Sequence, residues 1–393
     1  MIYIRSFAKW MIICILIAIL AGTGSALFLV LLDYCTQIRI QHRFLIALLP
    51  IAGLITALIY QTVGKPSSLG NQLIVENILQ PSKPFLPFLM APFIFATTLL
   101  SHLFGASAGR EGTALQISAG LSDQLTKPFK LTDKERALLL LAAVAAGFGS
   151  VFGTPIAGAI FALEFATNKK AVSFYSILLV FVCAFLAHWV CLAWGVVHTE
   201  YLIKQLPKIS FNNLLFIVLV SIIFGLVAFL FKTGLHYFKV RAITHLPNEL
   251  WRSVIGGALI ALIVYLTNGF DFIGLGIESM IRAFDTPANH NDFAIKMLLT
   301  ILTLSVGFKG GEVTPLFFIG ATLGSGLSLV LPLPISFLAG MGMVSVFGAA
   351  AKTPLAAALL ALELFGKEYF IYAFAICIIA SFIAGKKSIY QPS

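Results

Sequence analysis

Residues 10–32, 45–60, 174–194, 214–231 and 369–384 are apolar runs that approach the length of a bilayer crossing. Inside hydrocarbon a backbone must satisfy its own N–H and C=O groups, which leaves helices or a closed barrel. The runs are continuous rather than alternating over short segments, which argues against a barrel. With 59% hydrophobic and 11% charged residues, the 393-residue chain reads as an all-α polytopic membrane protein.

The net charge of +10 would suggest nucleic acid on a soluble protein. Here the cations sit in short loops between apolar runs, the pattern that sets membrane orientation, and no nucleic-acid partner is expected. Arg5 and Lys9 flank the first run, Lys127, Lys130, Lys134 and Arg136 form the densest cluster, and Lys386 and Lys387 lie near the end. Both termini are therefore expected in the cytoplasm. Small residues at 21–26 resemble a cleavage site, but the run continues past them, so a retained helix is expected. The five Cys and seven His show no zinc or redox spacing; no metal or cofactor is expected.

The chain repeats itself. Gly109-Arg110-Glu111-Gly112-Thr113-Ala114-Leu115 has a twin in Gly310-Gly311-Glu312-Val313-Thr314-Pro315-Leu316, 201 residues later. The stretch at 148–164 recurs at 347–363, shifted by 199 residues, and both copies run through Thr-Pro to Ala-Leu-Glu. Two motifs at nearly one offset argue for two related halves, residues 1–200 and 201–393, the second inverted if each half crosses an odd number of times. Segments 115–125, 155–165, 316–331 and 354–365 are too short to cross and are interrupted by Gly and Pro, a pointer to a site where the halves meet.

Residues 109–113 and 310–315 read as helix N-termini. Glycines allow close backbone approach, and Pro315 fits a first turn. Thr154-Pro155 and Thr353-Pro354 carry the signature of a capping hydroxyl before a first-turn proline. Several N-termini converging at mid-membrane make an anion site without a full positive charge. A glutamate there can occupy the site when ionised and leave it when protonated; burial favours the neutral acid and donor N–H groups favour the carboxylate.

Plainer readings stand beside this one. A glutamate at a helix start also favours the dipole of an ordinary helix. Arg110 reads better as a structural partner than as an anion ligand, because so basic a ligand would hold the anion too tightly. Glu164 and Glu363, at the ends of their helices, read as interhelical or interfacial groups. No Ser–His or paired-Asp constellation suggests an enzyme.

Residues 109–112 resemble the Gly-Arg-Glu-Gly-Pro signature of the CLC anion channels and transporters. Residues 310–315 resemble that family's Gly-x-Phe-x-Pro signature, and residues 385–390 its C-terminal segment ending in the pore tyrosine. The resemblance covers essentially the whole chain. It implies the CLC-type fold of two inverted halves and a homodimer with one pore per subunit. Departures are informative: Gly70-Asn71-Gln72 replaces the hydroxyl-bearing first signature, Thr113 replaces the usual Pro, and Phe165 stands where chloride/proton exchangers carry a second glutamate. Glu312 and Thr314 stand where apolar residues are usual. Together these departures resemble the fluoride/proton antiporter subgroup.

The resemblance makes Glu111 the gating glutamate, with Glu312 as a second proton-coupling group. It places Asn71 on the anion path, with Gly70 and Gln72 as neighbouring alternatives. It adds Gly109, Arg110, Gly112, Thr113, Val313, Thr314 and Tyr390 around the anion; by position alone Tyr390 equally fits an interfacial belt tyrosine. The expected partners are fluoride, protons, chloride weakly, and the lipid of a bacterial inner membrane. A chloride/proton antiporter or chloride channel of the same fold is the alternative. The chain ends soon after Tyr390, so no cytoplasmic regulatory domain is expected.

Overall fold

The computed structural model describes residues 2–165 and 173–390. Among the described residues there are sixteen α-helices, and the sole β contact is one isolated bridge between Gly109 and Gly311. The first eight helices are α1 (Ile2–Gln41), α2 (Leu49–Gln61), α3 (Asn71–Leu79), α4 (Met90–Leu103), α5 (Glu111–Ser122), α6 (Asp133–Phe152), α7 (Pro155–Phe165) and α8 (Phe174–Ala193). The others are α9 (Phe211–His245), α10 (Glu249–Leu266), α11 (Ile277–Arg282), α12 (Asp292–Ser305), α13 (Val313–Leu327), α14 (Ile335–Ala351), α15 (Pro354–Phe365) and α16 (Phe370–Ile383).

Six segments among the described residues are long and apolar enough to cross a membrane: α1, α2 with the turn before it, α6, α8, α9 and α10. Others cannot cross alone. At about 1.5 Å per residue, the 11-residue α7 reaches roughly half the ~30 Å hydrocarbon thickness. Such half-length helices expose their ends at membrane depth, which is tolerable only where protein surrounds them. Large apolar side chains stand exposed on the outer helices, including Trp189 on α8, Phe229 on α9 and Phe382 on α16. Lipid is the solvent such a surface requires.

Polar helix starts follow local rules. Thr132 and Glu135 form a capping box at α6, and Lys9 of α1 reaches Glu135 at 2.8 Å. Ser173, Ser210 and Asn248 cap α8, α9 and α10. At the centre, α14 lies almost wholly buried against α13. Gly320 and Gly342 face one another there, and a Cβ on either would meet the other's carbonyl. Without a hydrophobic drive between helices in lipid, this close backbone approach supplies the packing contacts.

The repeated Thr-Pro stretches correct one expectation. Neither threonine hydroxyl caps its helix; Thr154 Oγ1 and Thr353 Oγ1 are buried without a partner among the described residues. The other half supplies the caps. Glu363 accepts from Ile156 N at 2.9 Å and Ala157 N at 2.7 Å, while Glu164 accepts from Leu355 N at 3.2 Å and Ala356 N at 2.7 Å. Helices α7 and α15 thus hold each other's free N–H donors through paired carboxylates. A carboxylate beats a hydroxyl here because its bonds are charge-assisted and it meets the positive helix end. These two N-termini are filled by the protein itself, so they do not join the donors around Glu111.

Candidate functional site

The bridge between Gly109 and Gly311 ties the two glutamate motifs together. Gly109 N donates to Gly311 O at 2.6 Å, and Gly311 N donates back to Gly109 O at 2.8 Å. Directly after it, α5 and α13 begin from opposite partners of the bridge. The backbones come so close that a Cβ on Gly112 would lie 3.1 Å from Gly311 Cα and 2.7 Å from Asn71 Nδ2. Only glycine leaves room for this contact.

Glu111 is wholly buried at the first position of α5. Its Oε2 accepts from Arg110 N at 3.1 Å and from Thr314 N at 3.1 Å, and its Oε1 accepts the Thr314 hydroxyl. One carboxylate therefore fills donors from the starts of two helices, one in each motif. Charge-assisted bonds of this kind satisfy a buried carboxylate without a bound cation. The Arg110 guanidinium lies 3.5 Å from Oε1, but its Nε is not aligned for a hydrogen bond.

Other expected site residues divide between near and remote. Asn71 begins α3 beside Gly112, with its Oδ1 receiving Gln116 Nε2 at 3.3 Å; the same Gln116 nitrogen bonds Gly112 O at 3.1 Å. Gly70, at positive φ, packs against the Gln116 amide. Thr113 is turned to α4, sharing a 2.8 Å hydroxyl bond with Thr98. Val313 is buried as the first residue of α13. Glu312 precedes it as the cap, with Oε2 buried and without a partner, and makes no direct bond to Glu111 among the described residues. Tyr390 is buried edge-on against Phe165 at 4.8 Å, its hydroxyl also without a partner among the described residues. Buried polar atoms without partners are uncommon, and these two stand close to the Glu111 motifs in the sequence or the fold.

Gln116 was not anticipated. A polar residue inside an apolar helix, one turn beyond Gly112, was the available signal. Gly311 stood in the motif, but its pairing with Gly109 needed the fold.

Two cavities adjoin the site. One, of about 480 Å³, is lined by Arg110, Arg39, His198, Asp33, Asp271 and Glu278. The other, of about 390 Å³, is lined by Gln72, Lys232, His236, Lys239, Lys386 and Lys387. Arg110 precedes Glu111 and Gln72 follows Asn71 in the chain, so each cavity is lined by a sequence neighbour of a site residue. The second has four lysines and no acidic residue in its lining. His198 lies between α8 and α9, outside both helices; burial, then the Arg110 charge and neighbouring His188, holds its imidazole down at about 4.

The chain matches the family model described as voltage gated chloride channel over residues 52–385. It is 44% identical to the chloride/fluoride channel protein of Pseudomonas syringae pv. tomato, covering 98% of this chain and 86% of that one. A crystal structure of a CLC-type fluoride/proton antiporter superposes with a TM-score of 0.94 at 34% identity, covering 99% of this chain and 98% of that one. A slow cyanobacterial Cl⁻/H⁺ antiporter superposes at 0.83 with 18% identity, over 97% and 96% of the two chains, a likeness of fold alone. The short, inward-ending helices and the bridged glutamate motifs thus have the CLC architecture of two inverted halves, and the chain belongs to the voltage gated chloride channel (CLC) family of anion transporters and channels.

Proposed function

We propose that the protein exports fluoride in exchange for protons, with Glu111 alternating between occupying the anion place and carrying a proton. The observation that carries this reading is the Glu111 carboxylate on N–H donors of both motifs, Arg110 N and Thr314 N, with the Thr314 hydroxyl on its other oxygen. A group of donors that holds one anion can hold another. Protonation removes the charge those donors favour, so the acid form leaves and a mobile anion takes its place.

Fluoride fits the donor set. It is small and strongly hydrated, so leaving water requires strong donors in replacement. Backbone N–H groups, the Thr314 and Tyr390 hydroxyls and the Asn71 amide offer them, with the unpartnered Tyr390 oxygen available. Glu312, beside the site with an unpartnered oxygen, is assigned a second proton-handling role. Gly70, Gly109, Gly112, Arg110 and Val313 shape the passage around these groups, while the Thr113 hydroxyl is engaged with Thr98. The name of the 44%-identical relative, a chloride/fluoride channel protein, supports fluoride as an anion carried, and the 34%-identical fluoride/proton antiporter supports exchange with protons. Hydrogen fluoride crosses membranes uncharged and dissociates in an alkaline interior, so proton-coupled export would clear it.

The same reading places the protein as a homodimer in a bacterial inner membrane, with both termini in the cytoplasm and residues 1–200 and 201–393 as its half-repeats. Purified protein in liposomes, followed with fluoride, chloride and pH electrodes, tests the function. Fluoride efflux that drives proton movement, with much slower chloride flux, is the expected result. Chloride moving as fast as fluoride would point instead to a chloride transporter or channel of this fold.

A further inference from the structure

Lys296, on α12, is wholly buried, yet its ammonium meets no carboxylate among the described residues. It donates to Gly274 O at 2.7 Å and Phe272 O at 3.0 Å, and the ring of Phe318 on α13 lies 5.2 Å away, within cation–π range. Burying such a group is costly unless every donor is used, so its partners define its purpose. Both carbonyls belong to the segment between α10 and α11, and that segment grips the loop leading to Glu111. Gly274 N donates to Ala106 O at 3.0 Å, and the Ser107 hydroxyl donates to Phe272 O at 3.0 Å. Ser107 is held again from α12, with Thr300 Oγ1 at 3.0 Å from its hydroxyl and Thr303 Oγ1 accepting its N–H at 3.2 Å. Two residues further on, Gly109 makes the bridge to Gly311.

We infer that Lys296 is a positioning residue for the Glu111 site, holding the loop before α5 in register with α13 so that one carboxylate meets donors from both. The chain of contacts runs from Lys296 to Phe272 and Gly274, then to Ala106 and Ser107, then to Gly109 and Glu111. Through Phe318 the same ammonium also touches α13, so it abuts both sides of the bridge. Losing it takes the ammonium donor from the buried Gly274 carbonyl, leaves Phe272 O with the Ser107 hydroxyl alone, and frees the loop to shift. A shift of an ångström separates Arg110 N from Thr314 N, and the carboxylate then leaves donors open to an anion without first taking a proton. The result is fluoride passing without its proton.

This inference rests on the fluoride/proton reading, and its test separates the two. Protons moved per fluoride are measured in liposomes for the wild type, Lys296→Met and Ser107→Ala. That ratio does not depend on how much protein is folded, so a merely structural loss would lower total flux and leave it unchanged. The ratio is expected to fall at least about twofold in Lys296→Met, and in the same direction but less in Ser107→Ala. If Lys296→Met yields no folded protein, Ser107→Ala carries the test alone. A coupled wild type with an unchanged ratio in the folded variants overturns the positioning role. A wild type that moves fluoride without protons overturns the exchange reading first.

Discussion

Glu111 has three donors from two helix starts and no carboxylate bonded beside it, so its occupancy of the site depends on its charge. Glu111→Gln keeps the shape and removes the charge on which the proposed proton cycle depends; fluoride flux in that variant is expected to move no protons, as read by paired fluoride and pH electrodes. Asn71 lies against Gly112, with its amide nitrogen 2.7 Å from where a Cβ on that glycine would stand. Replacing that donor with a shorter hydroxyl in Asn71→Ser is expected to raise chloride flux relative to fluoride; an unaltered ratio would remove Asn71 from selectivity. His198 has a different place. Its value of about 4 lies below the ordinary 6.5, so it is neutral near pH 7 and binds fewer protons folded than unfolded between those values. Its stabilising share is present above about pH 6.5 and is lost as pH falls toward 4. Transport by His198→Gln should keep the wild-type pH profile above about pH 5, while acid unfolding over the lower window becomes shallower. Glu111 stood out in the sequence because a carboxylate in an apolar chain is expensive. The direction of Thr113, facing Thr98 rather than the passage, was not legible, since a helix start does not reveal which neighbour its hydroxyl will find.

At the scale of elements, short helices end inside the protein and must dispose of their free N–H groups there. Two solutions occur. Helices α5 and α13 share Glu111, a first-turn residue of one of them. Helices α7 and α15 use the glutamate at the far end of the opposite partner. Glu363→Ala uncaps α7 and should destabilise the protein by about 2 kcal/mol, read as a lowered midpoint of unfolding in detergent. An unchanged midpoint would mean that water or another group takes over the two N–H donors. The repeat and the proline-led helix starts were visible in the chain. The capping partner was not, because Glu164 and Leu355 are 191 residues apart and only packing α7 against α15 joins them. A local rule pointed to the threonines, and a long-range carboxylate displaced them.

Across the whole molecule, charge is distributed unevenly around the site. The lysine-lined cavity near Gln72 would gather anions, while the cavity at Arg110 mixes both signs. Lys232 is already bonded to the carbonyls of Ala384 and Lys387, whereas Lys239 is exposed. Lys239→Gln is therefore expected to raise the KM for fluoride presented from that cavity by roughly twofold and leave kcat nearly unchanged, with the difference shrinking at high salt. Equal KM values at low salt would show that the lysines do not collect the anion.

The chain by itself determined the helical membrane class, the duplication, the breaks in the short helices and the two glutamate motifs. These follow from hydrocarbon thickness, backbone satisfaction and the expense of buried charge, which act on local sequence. Tertiary structure alone decided that Gly109 pairs with Gly311, that Glu111 is the carboxylate shared by both helix starts while Glu312 keeps an unpartnered oxygen, and that Lys296 stands behind the loop. Each of these joins residues far apart in the chain. The partner of a buried polar group is chosen by which elements pack together, and that choice belongs to the whole fold.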